Sequence, residues 1–318
     1  MSTILITGAT GFIGRSLVPA LISAGHDVRC AVHKKCKSLQ AEQVQINKLE
    51  LQPDWTEALS GIDIVIHLAA KAHSTDKKRD LYPDEYSKVN SIATHHLATQ
   101  AAKSKVKRFI FLSSIKVNGE FTLENSPFTE ESIVQPEDPY AQSKLAAEHY
   151  LWDISKITGM QIVIIRPPLV YGPHVKANFL KIMKLVNKGW PLPFGMVHNK
   201  RSFIFIDNLV SAICSVLWDA RAANQMFLVS DDDSWSLAQL INILANGMDR
   251  KATLFSVPIP LLALLFTLTG FKSLNSRLFA SLEVSNNKIK SQLGWTPPIS
   301  SAEGLAKTAK WYQYEYNS

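Results

Sequence analysis

A chain of 318 residues, 46% hydrophobic and 19% charged, can bury a substantial core, which excludes a disordered or fibrous protein and leaves one large domain or two intimately joined ones. Its formal net charge of +7 draws on clusters at Lys34, Lys35 and Lys37, at Lys77, Lys78 and Arg79, and from Lys103 to Arg108; most of these read as solvated surface, with a polyanion site the alternative, and since no stretch interleaves basic with aromatic residues nucleic acid is not an expected partner. Three cysteines, Cys30, Cys36 and Cys214, make neither a disulfide framework nor a metal-ligand cluster, and the first residues carry no charged leader with a cleavage site, so reduced thiols in a cytoplasm and no metal are expected.

In chain order, "TILITG" reads as a buried strand and is followed by a helical pattern from Phe12 to Ala24. Further strand-like runs are "DVRCAV", "DIVIHLAA", "RFIFLSS" and "QIVIIRPP", with helix-compatible sequence between them. Strands alternating with helices predict an α/β fold, a doubly wound parallel sheet covered on both faces, with ligands beyond the strands' carboxyl ends. After Arg166 the alternation weakens into loops and helices of a smaller lobe, although "RSFIFID" and "QMFLVS" are expected to return to the sheet. The most apolar stretch, "VPIPLLALLFTLTG" at residues 257–270, is too short to span a bilayer comfortably. It reads as a packed helix, with contact at a membrane surface as the alternative and no membrane insertion. His67, inside the "DIVIHLAA" strand, reads as a packed residue; it and His73 lack a third partner at metal-ligand spacing.

The run "TGATGFIG" joins the first strand to the first helix. Gly8, Gly11 and Gly14 permit a tight turn, close approach of backbone to a pyrophosphate, and close packing of helix on sheet. Helix N–H groups then face the anion. At the end of the second strand a NAD enzyme would carry an acidic residue for the ribose 2′-hydroxyl; this chain reads "AVHKKCKS". His33, Lys34, Lys35 and Lys37 suit a 2′-phosphate, so NADP is the expected cofactor, with NAD the alternative.

"YAQSK" at residues 140–144 opens another helix. Asp138 is placed to cap it, Pro139 fits its first turn, and Tyr140 and Lys144 fall four residues apart on one face. A tyrosine titrates near 10 unaided, and a neighbouring ammonium and a positive nicotinamide would lower that value. With Ser114 from "RFIFLSSIKVNG" holding the substrate oxygen, the three side chains can move a proton on and off an alcohol while a hydride moves on its carbon.

These motifs, together with Asn90 in "YSKVN", "RPPLVYGP", "RSFIFIDNLV" and "LGWTPP", resemble the extended short-chain dehydrogenase/reductases, in the group of nucleotide-sugar epimerases, dehydratases and reductases. The resemblance covers nearly the whole chain. It implies a Rossmann domain over residues 1–172 and 202–232 and a nucleotide-sugar lobe over 173–201 and 233–318. It implies that Tyr140 is the acid/base, that Lys144 also binds the nicotinamide ribose, and that Ser114 orients the reacting oxygen. The dinucleotide would lie against Gly8, Thr10, Gly11, Phe12, Ile13 and Gly14, then His33 and Lys34, then Leu68, Ala69, Ala70, Asn90 and Pro167. Asn178, Arg201 and, on a poorer local match, Arg277 would contact the substrate diphosphate. Dimers in this group often form through a four-helix bundle that would include the Tyr140 helix, so a homodimer is open.

Sugar 4,6-dehydratases of the group carry Asp-Glu after the catalytic hydroxyl residue, where this chain has Ile115 and Lys116; dehydration is not expected. The tyrosine that often follows in that strand-end motif is Asn118 here. What remains is chemistry at C4 of a UDP-sugar. The basic stretch after the second strand favours a 4-keto reductase of UDP-4-keto-6-deoxy-N-acetylhexosamine in bacterial surface-polysaccharide (O-antigen) assembly. A UDP-sugar 4-epimerase and a non-catalytic NADP-binding regulator are the alternatives.

Overall fold

A computed structural model describes residues 2–46, 53–71, 83–268 and 278–317. Seven strands build the main sheet: β1 (Thr3–Thr7), β2 (Asp27–Val32), β3 (Glu42–Gln45), β4 (Ile64–His67), β5 (Arg108–Leu112), β6 (Gln161–Arg166) and, after two strands placed elsewhere, β9 (Gln225–Leu228). Their order is β3-β2-β1-β4-β5-β6-β9, every pair parallel. The fold is a Rossmann-type α/β sheet, as the alternation of elements predicts.

The strands read as unbroken apolar runs because both faces are buried. On one face Ile4, Ile6, Ile64, Ile66, Ile110, Val163 and Ile165 meet Leu17, Val18 and Leu21 of helix α1 (Gly14–Ser23). On the other, Leu5, Val65, Phe109, Phe111, Ile162 and Ile164 share a core with helices that lie between β3 and β6 in the chain. These pass through α2 (Thr56–Leu59), α3 (Pro83–Tyr86), a π-helical turn at Ser87–Ile92, α4 (Ala93–Lys103) and α5 (Pro139–Thr158). The period-two alternation of the strands thus sends neighbouring residues to different cores.

A second sheet holds three strands in the order β10-β8-β7, with β7 at Leu169–Tyr171, β8 at Arg201–Phe205 and β10 at Ser234–Trp235. Of the two late strands expected in the main sheet, "QMFL" joins it beside β6, whereas "RSFIF" does not. β7 leaves β6 after only two residues and offers β8 a parallel partner, Leu169 to Phe203 through Tyr171 to Phe205. The helices α6 (Ala177–Asn187), α7 (Ile206–Ser215), α8 (Leu237–Gly247) and α9 (Ile259–Leu268) follow in chain order, then helices at Asn287–Leu293 and Ser301–Asn317. A separate core joins α6, α8, β8 and the last helix through Phe179, Met183, Phe203, Leu240, Leu244 and Leu305.

The apolar stretch does form a helix, α9, which packs into this core through Leu262 and, in part, Phe266, but on one side only. Leu262 is buried, whereas Leu261, Leu264, Leu265 and Leu268 stand 57%, 55%, 53% and 76% exposed. Among the described residues no helix is long and apolar enough to cross a membrane.

Candidate functional site

The strand order reverses between β1 and β4, where Thr7 lies opposite His67. The loop leaving β1 therefore meets the loop leaving β4, which is where an α/β sheet opens a crevice. Gly8 turns there with φ +76°, and a Cβ on it would stand 2.8 Å from the Ala69 nitrogen and 2.9 Å from the Leu68 carbonyl carbon. A Cβ on Gly14 would fall 2.4 Å from the Gly8 carbonyl oxygen, so helix and turn touch backbone to backbone. Thr10 and Gly11 are exposed and Phe12 and Ile13 partly so. The first helix has no side-chain cap at Ile13 and no acidic residue in its first turn, leaving its positive end available to an anion.

A buried chain of hydrogen bonds ties these two loops to the next element. The Ala69 N–H donates to Thr7 Oγ1 (3.2 Å), which lies 2.6 Å from His67 Nδ1; His67 Nε2 lies 2.9 Å from Thr94 Oγ1, which donates to the Asn90 carbonyl (2.8 Å). Because the Thr94 proton is spent on Asn90 and the Thr7 oxygen already accepts from Ala69, one proton order satisfies every group: Thr7 donates to Nδ1 and Nε2–H donates to Thr94. Burial, with the Lys144 charge adding to it, pushes the His67 imidazolium down to about 3, so the ring is neutral. The packed reading of His67 holds. Asn90 is fully buried on the π-helical turn; its amide donates to the Lys71 carbonyl (3.0 Å) and to Ser143 Oγ (3.0 Å) and accepts from the Lys71 N–H (2.7 Å).

Helix α5 begins as its sequence dictates, with Asp138 accepting from the Ala141 N–H (2.7 Å) and Pro139 in the first turn. Tyr140 is hydrogen-bonded to the Ser114 hydroxyl. Burial first, and the nearby Asp138 carboxylate second, push its phenol up to about 12, against the Ser114 bond, which pulls it down. One turn on, Lys144 is 1% exposed, donates to the Leu112 carbonyl (2.8 Å) and lies 4.4 Å from the centre of the Phe111 ring. Burial pulls its ammonium down to about 7, partly offset by Glu148. Glu148 is the next residue at the same spacing. It accepts from Ser113 and is paired with Arg166 through Nε (2.9 Å) and Nη2, while Arg166 Nη1 donates to Asn118 Oδ1 (2.9 Å). Asn118 is therefore a buried structural partner. The Pro167 carbonyl accepts from the Ile115 N–H (2.9 Å), fixing the loop after β5 on the end of β6.

Ser114 and Tyr140 line a cavity of about 560 Å³ that also reaches Asn178 and Arg201. Four expected residues from four separate segments thus meet at one cavity. Arg201 also donates to the Ala280 carbonyl (2.9 Å), so part of its fork is structural. Arg277 and His73 lie outside the described residues. His33 and Lys34 are exposed past the end of β2, His33 with Nδ1 3.0 Å from the Ile46 carbonyl.

Several lining groups escape the sequence reading. Lys116, which lines the cavity two residues after Ser114, is held by Glu120 (2.6 Å) and Asp138 (2.5 Å); the (i, i+4) spacing of the first pair is its signal. The Trp235 indole N–H is buried on the cavity wall and makes no hydrogen bond among the described residues, and no motif marks it. Arg15, directly after Gly14, lines a second pocket of about 440 Å³ with Thr10, Cys36 and Ser38. Among the described residues no group of three or more His, Cys, Asp and Glu side chains is arranged to hold a metal.

The family model described as the NAD dependent epimerase/dehydratase family matches residues 4–229. The chain belongs to that family. It is 42% identical to the UDP-glucose 4-epimerase of Vibrio cholerae over 310 residues, 97% of this chain and 94% of that one. It is 27% identical over 330 residues to the N-acetyl-alpha-D-glucosaminyl-diphospho-ditrans,octacis-undecaprenol 4-epimerase of Escherichia coli O157:H7, covering 98% and 95%. The crystal structure of UDP-glucuronic acid 4-epimerase from Bacillus cereus in complex with NAD shares the fold, with a TM-score of 0.79, 23% identity and 99% of each chain covered.

Proposed function

We propose that this protein is a nicotinamide-dependent 4-epimerase of a sugar carried on a diphosphate, with UDP-linked hexoses and N-acetylhexosamines as the substrate class. The observation that carries the reading is the contact of the Ser114 hydroxyl with the Tyr140 phenol in a cavity whose walls also hold Asn178 and Arg201. The glycine turn against Leu68 and Ala69 and the uncapped first helix suit a dinucleotide pyrophosphate, with Asn90 and Pro167 ordering the loops beneath it. A nicotinamide held there would supply reversible hydride acceptance at C4, and inversion would require the hydride to return to the opposite face of the C4 ketone.

The chain's residues handle the proton. Ser114 holds the C4 oxygen beside Tyr140, and Tyr140 withdraws the hydroxyl proton as the ketone forms and restores it afterwards. The buried Lys144 supplies positive charge behind the phenol, which works against the burial and the Asp138 charge that hold the phenol protonated. Arg201 and Asn178 bind the diphosphate. Net dehydration is disfavoured because Ile115 is in the core and the Lys116 ammonium is bound by two carboxylates, where elimination would need an acid and a base. The relative from Vibrio cholerae, 42% identical, supports 4-epimerisation.

One observation favours a second reading, a 4-keto reductase using NADPH. No acidic residue ends β2, Lys34 stands exposed just past it, and exposed Arg15 and Ser38 line one pocket with Thr10 of the glycine turn, groups suited to a 2′-phosphate. Incubating the purified protein with UDP-N-acetylhexosamine and with its 4-keto-6-deoxy derivative, with and without NADPH, separates the two. Epimer formation without consumption of cofactor supports the first reading, stoichiometric NADPH oxidation on the ketone the second, and neither would reject UDP-linked N-acetylhexosamines as substrates for both.

A further inference from the structure

Asp138 does two things in this site that oppose each other. Its Oδ1 accepts from the Ala141 N–H and so caps the helix that presents Tyr140, but its charge is among the causes that hold the Tyr140 phenol protonated. A carboxylate is well placed at a helix start. Two residues from a side chain that must become a phenolate, the same carboxylate is a handicap. Its other oxygen, Oδ2, lies 2.5 Å from Lys116 Nζ, and there the chain answers the charge.

Lys116 is held firmly in that place. It sits in the short helical turn Ile115–Val117 after β5, and the cap of that turn is the catalytic serine itself: Ser114 Oγ accepts from the Lys116 N–H at 3.3 Å. Glu120, at the end of the same loop, accepts from Lys116 Nζ at 2.6 Å. The Gln135 N–H donates to the Val117 carbonyl (3.1 Å) and the Asn118 carbonyl (3.2 Å), which brings the segment leading to Asp138 back against this loop. The side chains of Lys116, Glu120 and Asp138 are only 22%, 15% and 19% exposed, so salt screens their charges weakly. The bridge from Lys116 to Asp138 therefore ties the loop that carries Ser114 to the helix that carries Tyr140.

Other charges face the phenol as well. Lys144 lies one turn along the same helix. From α3, Tyr86 meets Tyr140 edge to face with ring centres 6.4 Å apart, and Lys71 lies over the Tyr86 ring at 5.7 Å and is paired with Glu85. Lys181 and Arg201 share the cavity. Lys116 differs from these in acting on the opposing carboxylate itself. With its ammonium the cluster of Lys116, Glu120 and Asp138 carries one net negative charge, and without it two.

We propose that Lys116 is a positioning residue for the C4 proton transfer: by binding Asp138 it lets one carboxylate cap the Tyr140 helix without opposing phenolate formation at full strength, while the turn it shares with Ser114 keeps the serine in place beside the phenol. The inference rests on the C4 chemistry proposed above for the same cavity. Lys116 acts through Asp138 and Tyr140 and carries no proton of the reaction itself.

Two measurements on the full chain with oxidised dinucleotide (NAD or NADP) bound test this, and the first needs no sugar. Tyrosine isotopically labelled at Cζ reports each phenol by NMR, and the Tyr140 signal is the one lost in Tyr140→Phe. Lys116→Met should raise the pH at which that signal titrates by about one unit, a tenfold loss of phenolate. Lys116→Arg keeps the charge and should stay near the wild type. Asp138→Asn keeps a capping oxygen and should titrate below the wild type, a result that stands even where Lys116→Met is unstable. Lys116→Met/Asp138→Asn should return to the wild-type position or fall below it.

The second measurement is the pH dependence of UDP-N-acetylglucosamine turnover. Below the phenol's own value the rate climbs with pH, so Lys116→Met should show a profile displaced to higher pH with KM little changed, and the double variant should cancel the displacement. A Tyr140 signal that titrates alike in the wild type, Lys116→Met and Asp138→Asn overturns the proposal. So does a Lys116→Arg protein that behaves like Lys116→Met, or a wild-type signal that shows no titration up to about pH 11. A displaced signal with no turnover of any nucleotide sugar removes the C4 chemistry and upholds the coupling of Lys116 to Tyr140; turnover with an undisplaced signal does the reverse.

Discussion

Lys144 donates to the main-chain oxygen of Leu112 across 2.8 Å, holding an ammonium at the very end of β5 where only 1% of it meets water. Its ammonium is pulled down to about 7 by burial from an ordinary 10.5. The folded state therefore binds fewer protons than the unfolded state between those two values, and stability rises with pH across that window. Replacing Lys144 by Met should raise the melting temperature near neutral pH, by a gain on the order of 1 kcal/mol that shrinks as pH climbs toward 10, while turnover falls at least a hundredfold. Melting curves at several pH values check the first half. A variant less stable than wild type at every pH would refute the assigned cost of this buried charge.

Tyr140→Phe should lower turnover by about a hundredfold or more, the scale of a lost acid/base, and leave nucleotide affinity nearly unchanged. Titration of dinucleotide into both proteins, beside their rates, gives the comparison. Near-normal turnover would reduce Tyr140 to a residue on a helix face.

Arg166 and Glu148 are a buried ion pair with Ser113 and Asn118 as further partners. Arg166→Met should cost about 3–5 kcal/mol in urea unfolding, since it strands a carboxylate in the core. Arg166→Met/Glu148→Leu should regain much of that loss, because no charge is then left alone. Equal losses in the single and double variants would show that shape, not charge, governs this region.

His67 should stay neutral down to pH 4, with its proton on Nε2, and nitrogen NMR shifts of the imidazole report both. Its folded value of about 3 lies below the ordinary 6.5, so the unfolded chain binds the extra proton between these values and stability falls as the medium is acidified through them. His67→Gln should flatten that acid limb. An imidazolium signal at pH 5 would rule out the proton order drawn through Thr7 and Thr94.

Cofactor choice turns on Arg15 and Lys34. If a 2′-phosphate sits beside them, NADPH binds more tightly than NADH, and Arg15→Ala or Lys34→Glu narrows the gap by about tenfold, the value of one charge-assisted bond. Direct titration with both dinucleotides decides, and equal affinities in the wild type would favour the epimerase that keeps NAD.

What could be read ahead of the structure follows from how locally each feature is encoded. β1, β2, β4, β5 and β6 announce themselves because a strand buried on both faces needs an unbroken apolar run. β3 does not, since "EQVQ" sits on the sheet edge with Val44 its sole buried residue. The destination of β8 depended on β7, a strand of three residues that no pattern signals. Ser114, Tyr140, Asn178 and Arg201 carry motif signals and do meet at one cavity. The apolar part of the same lining comes from single leucines and phenylalanines on several separated segments, and composition gives no hint which leucine faces a cavity. The helix α9 was legible as a helix, but its outward leucines were not, because an all-apolar stretch has no polar side to show which way it faces.

The π-helical turn at Ser87–Ile92 limits how this chain can change length. A π turn is one residue wider than an α turn, and here that residue lets Asn90 point at Lys71 and Ser143 while Thr94, one turn later, still meets His67. Losing one residue before Asn90 would restore a regular helix but swing the amide by about 100°, out of reach of both partners. Gaining one would do the same in the opposite sense. Single-residue insertions and deletions should therefore be selected against throughout residues 83–94, although the segment is neither a strand nor part of the cavity lining. Shuffled libraries of this gene should recover crossovers there only when the spacing from Pro83 to Thr94 is preserved.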